Sequence, residues 1–140
     1  MAGDFDFTVD VSEMLRLARA LPGESETFLD AEAEEGITYI KLSFGTSPPG
    51  RSYPRGSRVH VASQPGHPPN VDMGTLRASM RWEREGTLTR HLMDGVLYGV
   101  MLELGTRHMA ARPFVGPAFE HMRRGFGDRF RAHLQRRWLR

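Results

Sequence analysis

YGVMLELGTRHMAARPFVGPAF, residues 98–119, decides how the rest of the chain is read. It opens with an aromatic residue and an apolar run, Val100, Met101, Leu102 and Leu104, interrupted by Glu103. Gly105-Thr106 breaks that run. A basic segment, Arg107 to Arg112, follows, and Pro113-Phe114 returns to apolar character. Pro117 then takes a first-turn position of a long helix, where its missing N–H removes no intrahelical bond. The stretch reads as a rigid connector that orients a helix against a small sheet. Glu103 is its one carboxylate embedded among apolar residues. A catalytic carboxyl needs a partner base or nucleophile, and none stands beside it, so a structural ion pair with Arg107 or Arg112 is expected.

Downstream, Phe119, Met122, Phe126, Phe130, Leu134 and Trp138 are spaced three and then four apart, one apolar stripe on one continuous helix. Gly125 and Gly127 interrupt it. In a helix interior each costs about 1 kcal/mol relative to alanine, and they mark a bend or a close backbone approach. Upstream, Met80–Glu85 and Leu88–Met93 read as two strands with Glu85-Gly86 in the turn. Trp82 and Leu88 supply the apolar side chains there, and Arg81, Glu83, Arg84 and Arg90 face solvent. Asp72 or Thr75 is placed to cap a short helix ending at Ser79, and Val96–Leu104 is a second short helix stopped by Gly105.

Residues 45–70 hold six of the nine prolines and four glycines, which reads as a long loop. A loop of that length is either a solvated connector or a binding loop, and Arg51, Tyr53, Arg55 and Arg58 give it basic and aromatic character. Residues 24–44 place Leu29, Ala33, Gly36, Ile37, Ile40 and Phe44 on one helical face; a strand over Ile37–Phe44 is the competing reading. Pro22-Gly23 ends an earlier helix that begins with an Asp10…Glu13 capping box. Residues 4–9, DFDFTV, alternate with period two, as a short strand or ordered arm does. The fold class is therefore α+β. N-terminal helices and a long C-terminal helix pack on a small antiparallel sheet, within one 140-residue domain.

Composition narrows the function classes. No cysteine is present, so disulfides, thiol nucleophiles and cysteine metal sites are excluded. None of the six histidines pairs at i, i+4, and no phosphate-loop, dinucleotide or serine-hydrolase fingerprint occurs. No cofactor, metal site or enzymatic activity is expected. No apolar run approaches the roughly 20 residues that span a bilayer, and the acidic N-terminus lacks the pattern of a signal peptide. Net charge is only +2, but residues 1–35 hold ten acids against Arg16 and Arg19, while residues 121–140 hold seven arginines against Asp128. Such poles suit head-to-tail self-association or a polyanion, or are simply two solvated faces of a monomer.

Two stretches carry a resemblance. Pro65–Met80, PGHPPNVDMGTLRASM, is similar to a signature of proline followed by Val-Asp-Thr-Gly-x-Leu-Arg-x-Ser. Residues 98–119 are similar to a second: Tyr-Ala, Leu-Glu-Phe-Gly-Thr, Arg-Pro-Phe and Pro-Ala. Together they resemble the tail-component or tail-completion family of long-tailed bacteriophages, named for the tenth gene product of a lambdoid coliphage. The likeness covers roughly residues 50–120. Met73, Gly99 and Leu104 depart from it, standing where threonine, alanine and an aromatic are usual. It implies structural roles for Pro69, Asp72, Gly74, Leu76, Ser79, Tyr98, Glu103, Gly105, Thr106, Arg112, Pro113, Phe114 and Pro117. It also implies a virion protein of the neck, assembled in the host bacterial cytoplasm. Its expected form is a homo-oligomeric ring, sixfold favoured over twelvefold, between head connector or stopper and tail tube, with genomic DNA passing through the lumen. The alternative is a small basic DNA-binding protein using its arginine-rich C-terminal helix. A ring needs two complementary patches. The candidates are Glu32 and Glu35 on one side, and Arg123, Arg124 and Arg131 with Phe130, Leu134 and Trp138 on the other.

Overall fold

The computed structural model describes residues 12–138. The expected arm at 4–9 and the Asp10 cap lie outside the described residues. The described chain runs α1 (Ser12–Ser43), β1 (Pro49–Arg55), β2 (Arg58–Ser63), α2 (Thr75–Ser79), β3 (Arg81–Glu85), β4 (Thr89–Met93), α3 (Tyr98–Leu104), α4 (Val115–Arg123) and α5 (Phe126–Trp138). It is an α+β fold in which β1–β2 and β3–β4 are two separate antiparallel hairpins rather than one sheet.

The scaffold is α1, 32 residues long. Phe28, Ala33, Ile37 and Ile40 line its buried face, with Phe44 just past its end, while Leu42 is exposed. That pattern is helical and excludes the strand alternative, which would place Ile40, Leu42 and Phe44 on one side. Contrary to expectation, Pro22-Gly23 does not end a helix; α1 runs through it. Proline removes one hydrogen bond and crowds one carbonyl, a local cost of about 3 kcal/mol that continuous helix on either side can outweigh. Glu24 and Phe28, docked on α5 just beyond it, hold the chain helical.

Around α1 the remaining elements form a shell. Phe44, Leu76, Met80, Phe114 and Ala118 complete the core with Ile37 and Ile40. The β3–β4 hairpin packs against α1, and beside it α4 and α5 return antiparallel to α1. Gly36 is where all three meet: a Cβ there would come within 2.5 Å of Met122 Sδ and 2.7 Å of Leu92 Cδ2. Arg90, expected at the surface, has a side chain only 4% exposed. It donates from Nε to Asp30 at 2.5 Å and from Nη2 to the Glu26 carbonyl at 3.3 Å. Leu88, expected as apolar support, is instead 64% exposed in the hairpin loop.

Two further expectations are corrected. Residues 45–70 are not an unstructured loop, because 49–63 form a hairpin with Gly56-Ser57 at the turn. The prolines fit it for a geometric reason. Pro49 is the first strand residue, and Pro54 pairs with Val59 one step from the turn-flanking pair Arg55–Arg58. In such a ladder hydrogen-bonded pairs alternate, so the Pro54 position needs no N–H. The C-terminal helix is also broken. Gly125 has φ +69° and separates α4 from α5, so the stripe of six apolar residues bends instead of running straight.

Candidate interaction surface

The two signature stretches meet around one cleft. In the second, Gly105 ends α3 with φ +75°. A Cβ there would lie 2.8 Å from Ala111 N and 2.9 Å from Met109 O. The tight loop that follows is closed by Thr106 N donating to Met109 O at 2.7 Å and Met109 N to Thr106 O at 3.2 Å. Arg112 N then donates to Leu102 O at 2.6 Å, returning the chain alongside α3. This return brings Glu103 to the start of α4. Its Oε2 accepts from Phe114 N at 2.7 Å and Val115 N at 2.9 Å, and its Oε1 from Gly116 N at 2.9 Å. The expected ion pair with Arg107 or Arg112 is thus replaced by an N-terminal cap. Three otherwise unpaired N–H groups and the positive end of the helix dipole hold the carboxylate. Pro117 occupies the third position of α4, still within the turn that lacks intrahelical acceptors. Phe114 is 1% exposed and packs edge-on against Phe44 with ring centroids 5.3 Å apart.

The first signature forms the opposite wall. Pro69 is buried and its carbonyl accepts from Gly45 N at 3.3 Å. Gly74, φ +83°, is the N-cap residue of α2, and neither Asp72 nor Thr75 caps it. Asp72 instead faces Arg55 at 3.6 Å and His60 at 3.8 Å on the hairpin. Leu76 enters the core, and Ser79 Oγ donates to Leu76 O at 2.8 Å. Arg112 ties the walls together through Nε to Ser63 O at 3.2 Å, beside Gly66 N to Ala111 O at 2.8 Å.

Between these walls lies an open cleft of about 650 Å³ whose lining includes Tyr53, His60, Asn70, Leu76, Tyr98 and Arg112. Ser63 Oγ and Asn70 Oδ1 are buried at it without a hydrogen-bond partner. Three arginines line it, Arg55, Arg77 and Arg112, against one carboxylate, Asp72. On its outer side α3 presents Leu97, Val100, Met101 and Leu104, exposed by 91%, 60%, 54% and 75%. These four follow the i, i+3, i+4, i+7 rule, so they form one apolar stripe facing solvent. The spacing was present in the sequence, but it signals an apolar face without saying what covers it.

The charged patches expected at a subunit interface are largely paired within the subunit. Glu32 is 7% exposed and receives Arg129 Nε at 2.8 Å and Nη2 at 2.5 Å. Glu24 takes Arg137 at 2.8 Å and His133 at 3.0 Å, and Asp30 takes both Arg84 and Arg90 at 2.5 Å. The hydrogen bond from Arg137 holds the Glu24 carboxyl below its ordinary range, against a smaller opposing effect of burial. For Asp30 burial pushes upward, but the bonds from Arg90 and Arg84 together outweigh it and the net shift is downward. Arg129 is raised by its bond to Glu32. Arg131 pairs with Asp128 at 3.1 Å and Arg123 with Glu120 at 3.9 Å. Phe130 packs on Phe28 of α1, ring centroids 5.0 Å apart, and Leu134 is half-buried. Glu35, near His121 at 3.8 Å, stays exposed, as does Arg124 at the helix break. The Trp138 side chain lies outside the described residues. Among the described residues no helix is long and apolar enough to cross a membrane, and no cluster of three His, Asp or Glu is arranged to hold a metal. No protein-family model, curated protein or solved structure matches the chain.

Proposed function

We propose that the chain is a structural subunit of a ring in the neck of a long-tailed phage, joining the head connector to the tail tube in a tail-completion or terminator role. The observation that carries self-association is the α3 stripe, four large apolar side chains at helical spacing left in solvent. Contiguous exposed apolar surface of this kind marks protein–protein contact. The convergence of the two signature stretches on one cleft supports the neck reading, because their residues cooperate in a single local structure. In the DNA-binding alternative the basic surface would be carried by the exposed Arg123, Arg124, Arg131 and Arg136, since Arg129 and Arg137 pair with carboxylates of α1.

Sedimentation and electron microscopy of the purified protein test the proposal. The chain should form closed rings as concentration rises, and Val100→Asp with Leu104→Asp should leave a folded monomer. A wild-type protein that stays monomeric at high concentration and binds duplex DNA with a steep salt dependence would favour the alternative.

A further inference from the structure

We infer that the cleft between the β1–β2 hairpin and α3 receives residues 4–10 of a second copy of this chain. The inference rests on the self-association part of the proposed function and adds a second contact beside the α3 stripe. Residues 4–10, DFDFTVD, alternate Asp4, Phe5, Asp6, Phe7, Thr8, Val9 and Asp10, and no cation stands between Ala2 and Leu15. An extended chain with this pattern presents aromatic and aliphatic side chains to one side and carboxylates to the other. The cleft is the complementary surface: apolar at Phe44, Leu76 and Leu102, aromatic at Tyr53 and Tyr98, and bordered by Arg55, Arg77 and Arg112.

Geometry assigns the segment to another copy. Phe44 lines the cleft at one end of α1, and Ser12 begins the other. At 1.5 Å per residue these ends are about 48 Å apart. Fully extended chain from Ser12 back to Phe5 spans at most about 25 Å. A subunit cannot fill its own cleft with its own phenylalanines, so the contact joins two different surfaces of two copies. Such a heterologous contact closes into a ring when the rotation allows it.

Residues 4–10 are probed by substitution in the full-length chain. Full-length Phe5→Ala/Phe7→Ala is compared with wild type by sedimentation velocity, with circular dichroism as the folding control. Self-association should weaken at least tenfold, and a synthetic peptide of residues 2–11 should inhibit wild-type assembly where its Phe5→Ala/Phe7→Ala version does not. Asp6→Arg should weaken association, and Arg77→Asp in the same chain should recover part of it. Rings of unchanged stability in the Phe5→Ala/Phe7→Ala variant overturn the inference and leave the ring reading intact. A wild type that neither self-associates nor binds the peptide in titration calorimetry removes both. Peptide binding that Arg77→Asp abolishes, in a wild type that remains monomeric, keeps the docking and removes the ring.

Discussion

Glu103 accepts three backbone N–H bonds with its two oxygens. Glu103→Ala leaves those donors in a part-buried setting. Lost charge-assisted bonds and a lost cap together amount to about 2–3 kcal/mol, readable by urea denaturation. Glu103→Gln keeps one carbonyl acceptor but puts an amide donor against N–H groups, and should lose about 1–2 kcal/mol. An unchanged stability in Glu103→Ala would remove the capping role. Arg129 has a comparable place, joining Glu32 to the carbonyls of Met122 and Arg124 at the end of α4. Arg129→Lys cannot reproduce that fork. It should lower the midpoint of thermal unfolding clearly more than Arg136→Lys, whose helix end is exposed.

At the scale of elements, the break between α4 and α5 reverses the sign of a substitution. A straight helix over 117–138 would make Gly125→Ala stabilising by about 1 kcal/mol. With φ at +69°, alanine must adopt a left-handed backbone that costs an L-residue roughly 1–2 kcal/mol. Gly125→Ala should therefore destabilise. Gly127 lies inside α5, where an added Cβ meets nothing within 4 Å, and Gly127→Ala should stabilise by about 0.5–1 kcal/mol. Opposite signs for residues two apart, measured in the same denaturant series, distinguish the bent pair from a continuous helix. The bend lets α4 meet Gly36 while Phe126 and Phe130 both reach Phe28, with ring centroids at 5.2 Å and 5.0 Å.

For the whole molecule, the acidic and basic poles meet each other. Going up α1, Glu24 meets His133 and Arg137, Glu32 meets Arg129, and Glu35 meets His121, an antiparallel ladder of acidic against basic side chains. Glu24 and Asp30 are both depressed from ordinary values of 4.5 and 3.8. A carboxyl that is more acidic folded than unfolded adds stability that is complete above its unfolded pKa and is lost as pH falls through the folded one. Unfolding free energy should thus be level from about pH 6 down to pH 5 as far as these groups are concerned, then fall below about pH 4. Glu24→Gln should flatten part of that fall, whereas Glu120→Gln, an exposed partner of Arg123, should leave it unchanged. A fall that is identical in Glu24→Gln would show that Glu24 is not paired in solution.

The sequence by itself determined the α+β class, the β3–β4 hairpin and the stop of α3 at Gly105, whereas burial of Ile37 and Ile40 with Leu42 exposed decided for helix over strand at 37–43. The first three rest on local causes: turn residues, alternation, a left-handed glycine, and apolar spacing. Other features were decided by tertiary contact. Proline-glycine at 22–23 is a stop signal locally, and only packing of the next turn on α5 overrides it. Prolines at 48, 49 and 54 suggest a loop, and only the pairing register shows that Pro49 opens a strand and Pro54 falls at a position that needs no N–H. The partner of Glu103 is not legible in the sequence, because arginines are visible there whereas the N–H groups of a helix start become donors only after Gly105 and Arg112 fold the chain back. The arginines of α5 look free for a neighbour until α1 is laid beside them. Charge is a property of residues, but whether a charge is available to a partner depends on what the fold has already placed against it.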